Sequence, residues 1–255
     1  MIFLKIKAAH IKPISILVIL GFLLSCFTNG VHAQQTMNDN QTLDKKQQSI
    51  VSISAFAAKG DLLQLQKALS DGLDSGLTIN QIKEVVVHIY AYCGFPRSIR
   101  GLQTLMSVLQ ERKAKGINDV RGAMASPGKD ERSKYERGKD ILVELTGVPQ
   151  NAPASGYSAF APVIDTFLKE HLFADIFERD VLSYSERELV TISVLTSIGG
   201  VEPMLQGHLN ISLNVGLSPS QLNQFVSIIN STVGKKEAGS AQIVLDDVLK
   251  NRKSK

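Results

Sequence analysis

Two pairs of carboxylate and imidazole side chains could move protons. Glu188 precedes His208 by 20 residues, on the preceding helix, so an antiparallel hairpin could bring the two side chains together. Imidazole titrates near neutrality and can donate a proton to a developing enolate, and a neighbouring carboxylate could fix its tautomer. Glu84 and His88 lie four residues apart on one helix face, where they form either a second acid/base dyad or an ordinary helical contact.

One aromatic and basic turn could bind a substrate. Tyr90, Tyr92 and Arg97 surround the segment CGFP at 93–96. A guanidinium can hold a carboxylate through two parallel hydrogen bonds, so Arg97 is either the substrate-binding group or a surface residue near a helix start. Cys93 falls on an apolar stripe and is predicted to pack as a small hydrophobe. The sequence has no metal-ligand spacing, phosphate-binding loop or nucleophile elbow.

The elements that must position these groups are helices. An apolar stripe predicts a helix that Thr78 caps at its start and that Gly94 and Pro96 end. The residues of this stripe are Ile82, Val85, Val86, Ile89 and Cys93. The following helix is predicted to carry one apolar face, formed by Ile99, Leu102, Met106 and Leu109. Few segments alternate with period two and aromatic residues are only 6% of the chain, so the predicted fold class is all-α.

An internal repeat sets the predicted architecture. The segment VSIS at 51–54 aligns with VTIS at 190–193 at an offset of 139, and after one inserted residue the offset is 140. The other aligned positions are Leu69 with Leu209, Leu73 with Leu213, Gly76-Leu77 with Gly216-Leu217, and Gly94 with Gly234. Chance alignment of two amphipathic hairpins is the alternative, but several coinciding turn glycines favour a duplication.

Each copy also carries part of a recognisable motif set. The second copy reads S-x-R-E-L-V-T-I-S at 185–193, then His208, then N-x-G-L-S at 214–218. The first copy reads D-S-G-L-T-I-N-Q-I-K-E at 74–84 and Y-A-Y-C-G-F-P-R at 90–97. Together these motifs resemble the carboxymuconolactone decarboxylase family. In that family R-E-L opens one helix, a histidine precedes an N-x-G turn, and Y-x-G-x-P closes a third helix.

The resemblance implies a helical bundle, chemistry without a cofactor, and a ring in which two-copy chains form trimers. It also implies sites between the helices of neighbouring units. It favours a catalytic role for His208, whose alternative is a structural imidazole on a face shared with Ile211. The redox branch of the family carries a C-x-x-C pair before the histidine. This chain has Val201 and Met204 at those positions, so thiol peroxidase chemistry is disfavoured.

The two copies depart from the family pattern in complementary ways. The first copy has Ala68 where the second has His208, and it lacks the R-E-L segment. The second copy has N-S-T-V at 230–233 in place of the first copy's tyrosines, and it lacks the proline. We interpret this as complementary loss. It predicts one composite site in which His208 and Glu188 face the turn at 90–97, within one chain or across subunits.

The sequence therefore predicts a lyase-type enzyme that acts on a small carboxylated lactone or keto acid. Loss of CO₂ leaves an electron pair that must be delocalised into a neighbouring carbonyl, and a donor at that oxygen with a proton donor at carbon suffices. His208 would be the acid and Arg97 the anion binder. The alternative is a non-catalytic, exported helical oligomer that acts as a binding or scaffold module.

The first 33 residues have the layout of a secretory signal peptide, with three lysines, an apolar run at 14–27 and small residues before Gln34. Cleavage near Ala33 predicts an exported, periplasmic or secreted protein, and acylation of Cys26 is the less favoured alternative. The apolar run is too short to span a membrane. Muconolactone catabolism is normally intracellular, so an exported member is expected to take a different small acid or lactone.

Five segments follow from these patterns: a signal peptide at 1–33, a flexible leader at 34–48, the first repeat at 49–116, a linker with a short helix at 117–157, and the second repeat at 158–250. Without the three lysines of the signal peptide, the formal charge of +4 falls to +1. A charge this small gives no indication of nucleic-acid binding.

Overall fold

Helices make up the secondary structure of residues 41–128, 130–150 and 153–253, the parts of the chain that the structure, a computed structural model, describes. The helices are α1 (Lys45–Lys59), α2 (Leu62–Asp74), α3 (Ile79–Ala114), α4 (Lys134–Thr146), α5 (Tyr157–Phe160), α6 (Pro162–Phe167), a π-helical segment (Leu168–Phe177), α7 (Tyr184–Ile198), α8 (Glu202–Asn214), α9 (Pro219–Thr232) and α10 (Lys235–Lys253). No β-strand occurs among these residues, which confirms the all-α prediction.

The predicted signal peptide lies outside the described residues, as do residues 34–40 of the predicted leader. None of the helices that the structure describes has the length and apolarity needed to cross a lipid bilayer. The end of the predicted leader is not free chain, because α1 begins at Lys45 and Asp44 caps its first turn. Leu43 is buried, and its N–H donates to the side chain of Gln224. The boundary predicted at 48 is therefore several residues too late.

The internal repeat is visible in the helix boundaries. Helices α1 and α2 correspond to α7 and α8, and the two halves of α3 correspond to α9 and α10. Thr78 and Ser218 begin their helices with the same capping box, in which Gln81 and Gln221 supply the reciprocal side chains. The predicted cap at Thr78 and the two-copy architecture are thus confirmed. The inserted residue is Gly200, between the end of α7 and the start of α8.

A matching pair of arginines extends the repeat to side chains that the sequence pattern did not single out. Arg112 lies near the end of α3 and donates to Ser70 and Asp74 of α2, as well as to Asp119. Its counterpart Arg252 donates to residues 210 and 214, which occupy the corresponding positions of α8 and are both asparagine. Each copy therefore ties its last helix to its second helix in the same way, but only the first copy does so with carboxylates.

Gly94 divides α3 into two helices with different buried faces. Its φ of 72° and ψ of 172° lie outside the helical region, at the position where the sequence predicted the helix to end. The predicted stripe before Gly94 is buried or packs against the core. The predicted face after it is wrong at Ile99 and Met106, which are exposed, whereas Leu102 and Leu109 pack against the core. The buried residues of this half are Ser98, Gly101, Leu105, Val108 and Arg112. Gly101 allows a close approach to Val86, since a Cβ there would lie 2.8 Å from its Cγ1.

Helix α7 lies at the centre of the molecule. It packs against α1, its own counterpart in the other copy, and against α3, α8, α9 and α10. Every residue from Arg187 to Ser197 is buried, so the polar residues of this stretch must find their partners inside the protein. Helix α3 of the first copy packs on α7 in the way that α9 of the second copy packs on α1. The two copies therefore interlock, and each places its third helix against the other's first.

The segment between the copies is more ordered than a linker. The predicted short helix is present as α4, which begins after the cap Ser133 and ends at Gly147. It packs against the π-helical segment, where Phe173, Ile176 and Phe177 are buried. The preceding helices α5 and α6 bury none of their residues.

Candidate active site

The hairpin of α7 and α8 brings Glu188 and His208 into contact, as the sequence predicts. Oε2 of Glu188 lies 2.9 Å from Nδ1 of His208. Glu188 follows the R-E-L arginine in the first turns of α7, and His208 lies in the middle of α8. Because a carboxylate oxygen accepts hydrogen bonds, Nδ1 carries the hydrogen and Nε2 is left as the free ring nitrogen. Among the described residues, none makes a hydrogen bond to this Nε2.

The two members of the pair differ in their access to solvent. Glu188 is completely buried, and its second oxygen, Oε1, has no hydrogen-bond partner among the described residues. The side chain of His208 is 15% exposed, so part of the ring reaches the surface. The arrangement can pass a proton between a reactant and an imidazole that a buried carboxylate holds in place.

The first copy contributes Tyr92 to this pair. Its ring meets that of His208 edge-on, with centroids 6.0 Å apart and planes at 83°. Its hydroxyl oxygen lies 3.2 Å from Oγ1 of Thr191. Burial, together with the negative charge of Glu188, raises the pKa of Tyr92 well above its usual 10. Tyr92 is therefore a protonated phenol that positions the imidazole and does not act as a base.

His88 lies one helical turn before Tyr92 and stacks on it, with ring centroids 5.6 Å apart. Its Nε2 lies 2.9 Å from Oγ1 of Thr191, and its Nδ1 lies 3.3 Å from Nη1 of Arg187. Arginine donates and cannot accept, so Nδ1 is the acceptor and Nε2 carries the hydrogen. Burial lowers the pKa of His88 well below 6.5, and the charges of Arg187 and His208 lower it further. His88 is therefore neutral at physiological pH.

Glu84 binds two arginines of the second copy. Its carboxylate accepts hydrogen bonds from Nε (2.9 Å) and Nη2 of Arg179, and it lies 3.4 Å from Nη2 of Arg187. Burial alone would raise the pKa of Glu84, but hydrogen bonding to Arg179 and the charges of both arginines hold it below its usual 4.5. Glu84 and His88 are therefore linked through Arg187, and the direct dyad that their spacing suggested is not formed.

Arg187 is the residue that the sequence interpretation missed. It is completely buried, it donates to His88, Glu84 and the carbonyl of Arg179, and its Nε has no partner among the described residues. Burial lowers the pKa of its guanidinium, while the carboxylate of Glu84 opposes this. The R-E-L motif contains the signal that points to Arg187, because this arginine directly precedes Glu188. A second signal is the spacing of Glu84, His88 and Tyr92, which places them on one helix face.

The structure does not bring the other predicted residues to His208. The hydroxyl of Tyr90 lies 2.7 Å from Nε2 of His171, and its ring packs on that of Phe95. Arg97 lies against Gly60 at the end of α1, where a Cβ would be 1.5 Å from Nη1. Among the described residues, no hydrogen bond or ring contact joins Tyr90 or Arg97 to His208. Their roles in substrate binding stay predictions, and Tyr92 is the member of the turn that meets the histidine.

Cys93 lies next to Tyr92 in sequence, and it is partly buried against the core. Burial raises the pKa of its thiol to about 11, so little thiolate forms at neutral pH. This agrees with the interpretation of Cys93 as a small hydrophobe, because thiol chemistry needs the ionised form.

The corresponding position in the other half of the repeat has none of these ionisable groups. Residues 84, 88 and 208 correspond to Gln224, Ile228 and Ala68, and residues 187 and 188 correspond to Gln48 and Ser49. Four of these five counterparts line an open cavity of about 460 Å³: Gln48, Ser49, Ala68 and Ile228. One of the two related positions thus carries these charged groups and the other does not, while complementary loss stays a prediction. The retained set comes from both copies of a single chain.

Comparison with known proteins shows which family and which relatives the chain is similar to. The model of the carboxymuconolactone decarboxylase family matches residues 31–105 and 162–247, one segment in each copy. A 4-carboxymuconolactone decarboxylase of Acinetobacter baylyi is 23% identical over 123 residues, which are 48% of this chain and 91% of that protein. An uncharacterised protein of Methanocaldococcus jannaschii is 27% identical over 75 residues, 29% of this chain and 70% of that protein.

Proposed function

The chain belongs to the carboxymuconolactone decarboxylase family, and we propose that it is a lyase-type enzyme acting on a small carboxylated lactone or keto acid. The observation that carries this proposal is the pair formed by His208 and Glu188. A partly exposed imidazole is held through Nδ1 by a fully buried carboxylate, and its Nε2 is free to exchange a proton. A similar 4-carboxymuconolactone decarboxylase supports the class of reaction.

In the proposed reaction, loss of CO₂ from the substrate leaves an electron pair that is delocalised into a neighbouring carbonyl. Nε2 of His208 protonates the resulting carbanion or enolate, and Glu188 stabilises the charge that the imidazole carries during the transfer. Tyr92 fixes the ring of His208 from the side. Behind the site, Glu84 offsets part of the charge of Arg187, and burial together with the charge of Arg187 keeps His88 neutral, so that the imidazole of His208 has no second charged ring beside it.

We further propose that residues 1–33 direct export and that the enzyme works in the periplasm or outside the cell. An exported enzyme has no obvious supply of the muconolactones of intracellular aromatic catabolism. The substrate is therefore expected to be a different small acid or lactone that carries a carboxylate next to a carbonyl.

A screen of small lactones and keto acids for carbon dioxide release or lactone turnover tests the proposal. Wild-type protein is expected to convert at least one compound of this class, and His208→Ala is expected to lose roughly 10²–10⁴-fold of that rate. Turnover that is unchanged in His208→Ala contradicts the assigned role. Absence of turnover across the class favours the non-catalytic alternative.

We also propose that the chain forms a homo-oligomer, with the trimer as the expected state. Exposed apolar side chains on the consecutive helices α5 and α6, which bury none of their residues, and on the turn after Gly94 support association, because exposed apolar surface marks interaction sites. These residues are Phe95, Tyr157, Phe160, Val163 and Phe167. Light scattering of the wild type beside a Phe160→Ser, Phe167→Ser double variant tests this. A monomeric wild type contradicts it, and a loss of association confined to the variant supports it. An assembly without turnover would fit the scaffold alternative.

A further inference from the structure

A cavity of about 340 Å³ lies at the end of α7 and is lined by none of the candidate active-site residues. It is bounded by the last turn of α7 with Gly199 and Gly200, and by the first turns of α8 and α10. Its volume is within the range of pockets that hold small molecules. The side chains that give it polar character are Thr196, Glu202, Lys236, Glu237 and Ser240.

The wall formed by α7 presents hydrogen-bond acceptors that have no partner. Thr196 is 5% exposed, and its Oγ1 makes no hydrogen bond to any described residue. The carbonyl oxygens of residues 196–198 likewise receive no hydrogen bond from the described part of the chain. Ile198, Gly199 and Gly200 are exposed, but the unpaired hydroxyl of Thr196 is buried, and a ligand that donates hydrogen bonds would satisfy it together with the last carbonyls of the helix.

The first copy ends its corresponding helix differently. In α1 the N–H of Gly60 donates to the carbonyls of residues 56 and 57, and its ψ of 23° closes the last turn. Its counterpart Gly199 has a similar φ of 66° but a ψ of 168°. The chain therefore leaves α7 in an extended direction, and the additional residue Gly200 follows. This difference leaves the carbonyl of Thr196 without the hydrogen bond that its counterpart at residue 57 receives from Gly60.

The first copy also contains the chemical group that suits such a helix end. The guanidinium of Arg97 lies directly against Gly60. A cation is favoured there because the end of a helix carries partial negative charge. Arg97 is the third residue after Gly94, and the third residue after the matching Gly234 is Glu237. The second copy thus has a carboxylate where the first has a guanidinium, and the cavity lies at the helix end that corresponds to the one Arg97 covers in the first copy.

Most of the polar atoms that line the cavity are hydrogen-bond acceptors. Glu202 accepts from the N–H of Gly200, and Glu237 pairs with Lys59 of α1 at 3.2 Å. The two carboxylates are opposed by Lys59 and by Lys236, whose side chain is exposed, so the formal charges around the cavity balance. Two carboxylates, a free hydroxyl and three free carbonyls form a set of acceptors, which a planar group with several N–H donors matches well.

We propose that this cavity binds the guanidinium group of a small alkylguanidinium compound, as a site separate from the candidate active site. The guanidinium takes the place that Arg97 occupies in the first copy, donates to Thr196 and to the last carbonyls of α7, and faces the carboxylate of Glu237.

Binding of propylguanidinium to the full chain, followed by calorimetry and by NMR shifts of the residues lining the cavity, tests the proposal. Propylurea is the matched neutral probe, because it has the same shape without the charge. Wild type is expected to bind propylguanidinium and not propylurea. Thr196→Val, which removes only the hydroxyl, is expected to weaken binding about tenfold, since one hydrogen bond is worth about that factor. Thr196→Ser is expected to restore it.

Glu237→Arg is the decisive variant, because it gives the second copy the arginine that the first copy has at the corresponding position, Arg97. It is expected to abolish binding of propylguanidinium while the far-ultraviolet circular dichroism stays that of the wild type. Binding that survives in Glu237→Arg overturns the proposal. So does the absence of wild-type binding at roughly 10 mM probe, a concentration above the millimolar range of weak ligands. Binding of inorganic phosphate that depends on Lys236 also overturns it.

Discussion

Glu188 and His208 are 20 residues apart in the chain, and their side chains meet at 2.9 Å in the interior of the hairpin formed by α7 and α8. One carboxylate oxygen of Glu188 is bonded only to this imidazole, and the other has no partner among the described residues. His208 is therefore what makes the burial of this carboxylate tolerable, and the proposed chemistry and the stability of the fold depend on the same contact.

Replacing His208 by Ala is expected to lower the free energy of unfolding by about 3 kcal/mol, because it leaves a buried carboxylate without its partner. Glu188→Gln in the same chain is expected to recover most of this loss, since a neutral amide costs less to bury. Urea unfolding of the single and double variants gives the comparison. Equal stability of wild type and His208→Ala would show that the carboxylate is protonated or finds another partner.

Replacing Glu84 by Gln is expected to destabilise the protein by about 3 kcal/mol at neutral pH, because Arg187 keeps its buried charge without a carboxylate. Exposed Glu111, on the same helix, gives the control variant Glu111→Gln. The pKa of Glu84 is lowered by folding, so its contribution is complete above 4.5 and is lost as the pH falls through the folded-state pKa. Wild type should therefore lose more stability than Glu84→Gln during acid unfolding. Parallel acid profiles would contradict this.

Because of His88, the free energy of unfolding is expected to decrease as the pH falls. Its pKa in the folded state lies well below 6.5, so the unfolded chain takes up a proton first and the free energy of unfolding decreases from pH 6.5 downwards. His88→Gln should flatten this decrease between pH 6.5 and about 5. His171→Gln is the control, because that side chain is largely exposed. NMR of the His88 ring should show the neutral form at pH 6, and a charged ring there would refute the assignment.

The two corresponding arginines near the ends of α3 and α10, Arg112 and Arg252, are expected to contribute differently to the free energy of unfolding. Arg112→Ala leaves the nearly buried carboxylate of Asp119 unpaired and should cost about 3 kcal/mol. Arg252→Ala removes hydrogen bonds to two neutral asparagines and should cost about 1 kcal/mol. Thermal or urea unfolding of the two matched variants measures the difference. If both variants lose the same stability, the ion pairs of Arg112 add nothing to its hydrogen bonds.

Mixing inactive variants tests whether one chain holds the whole site. Tyr92 and His208 touch within a single chain, so subunits carrying Tyr92→Ala and subunits carrying His208→Ala should not restore activity in mixed oligomers. Activity is measured on the substrate identified in the screen, after exchange of subunits has been verified by mass spectrometry. Partial recovery would mean that the functional contact is made across the subunit boundary.

Local patterns in the sequence predicted much of the fold. Thr78, Gly94 and the coinciding turns of the two copies are caps and breaks, whose effect depends on a few neighbouring residues. The apolar face predicted after Gly94 is wrong at Ile99 and Met106, because this helix packs through Gly101 against Val86, and a glycine contributes nothing to a pattern of large apolar residues.

Only those contacts of the site that form within one helical hairpin could be predicted from the sequence. The contact between Glu188 and His208 follows from their spacing on consecutive helices. The burial of Arg187 does not, because it requires five helices to surround α7. Tyr90 and Tyr92 are two residues apart and point to different sides of α3, and only the packing of α3 on α7 determines which of them meets the histidine.

The repeat position that corresponds to the site, around Gln48 and Ile228, lacks the ionisable residues of the site, and this determines the number of sites per chain. Although the fold contains two copies of the helical unit, each polypeptide carries a single complete set of ionisable groups. A tight inhibitor directed at His208 should therefore titrate to one equivalent per chain, half the number that the repeats alone would suggest.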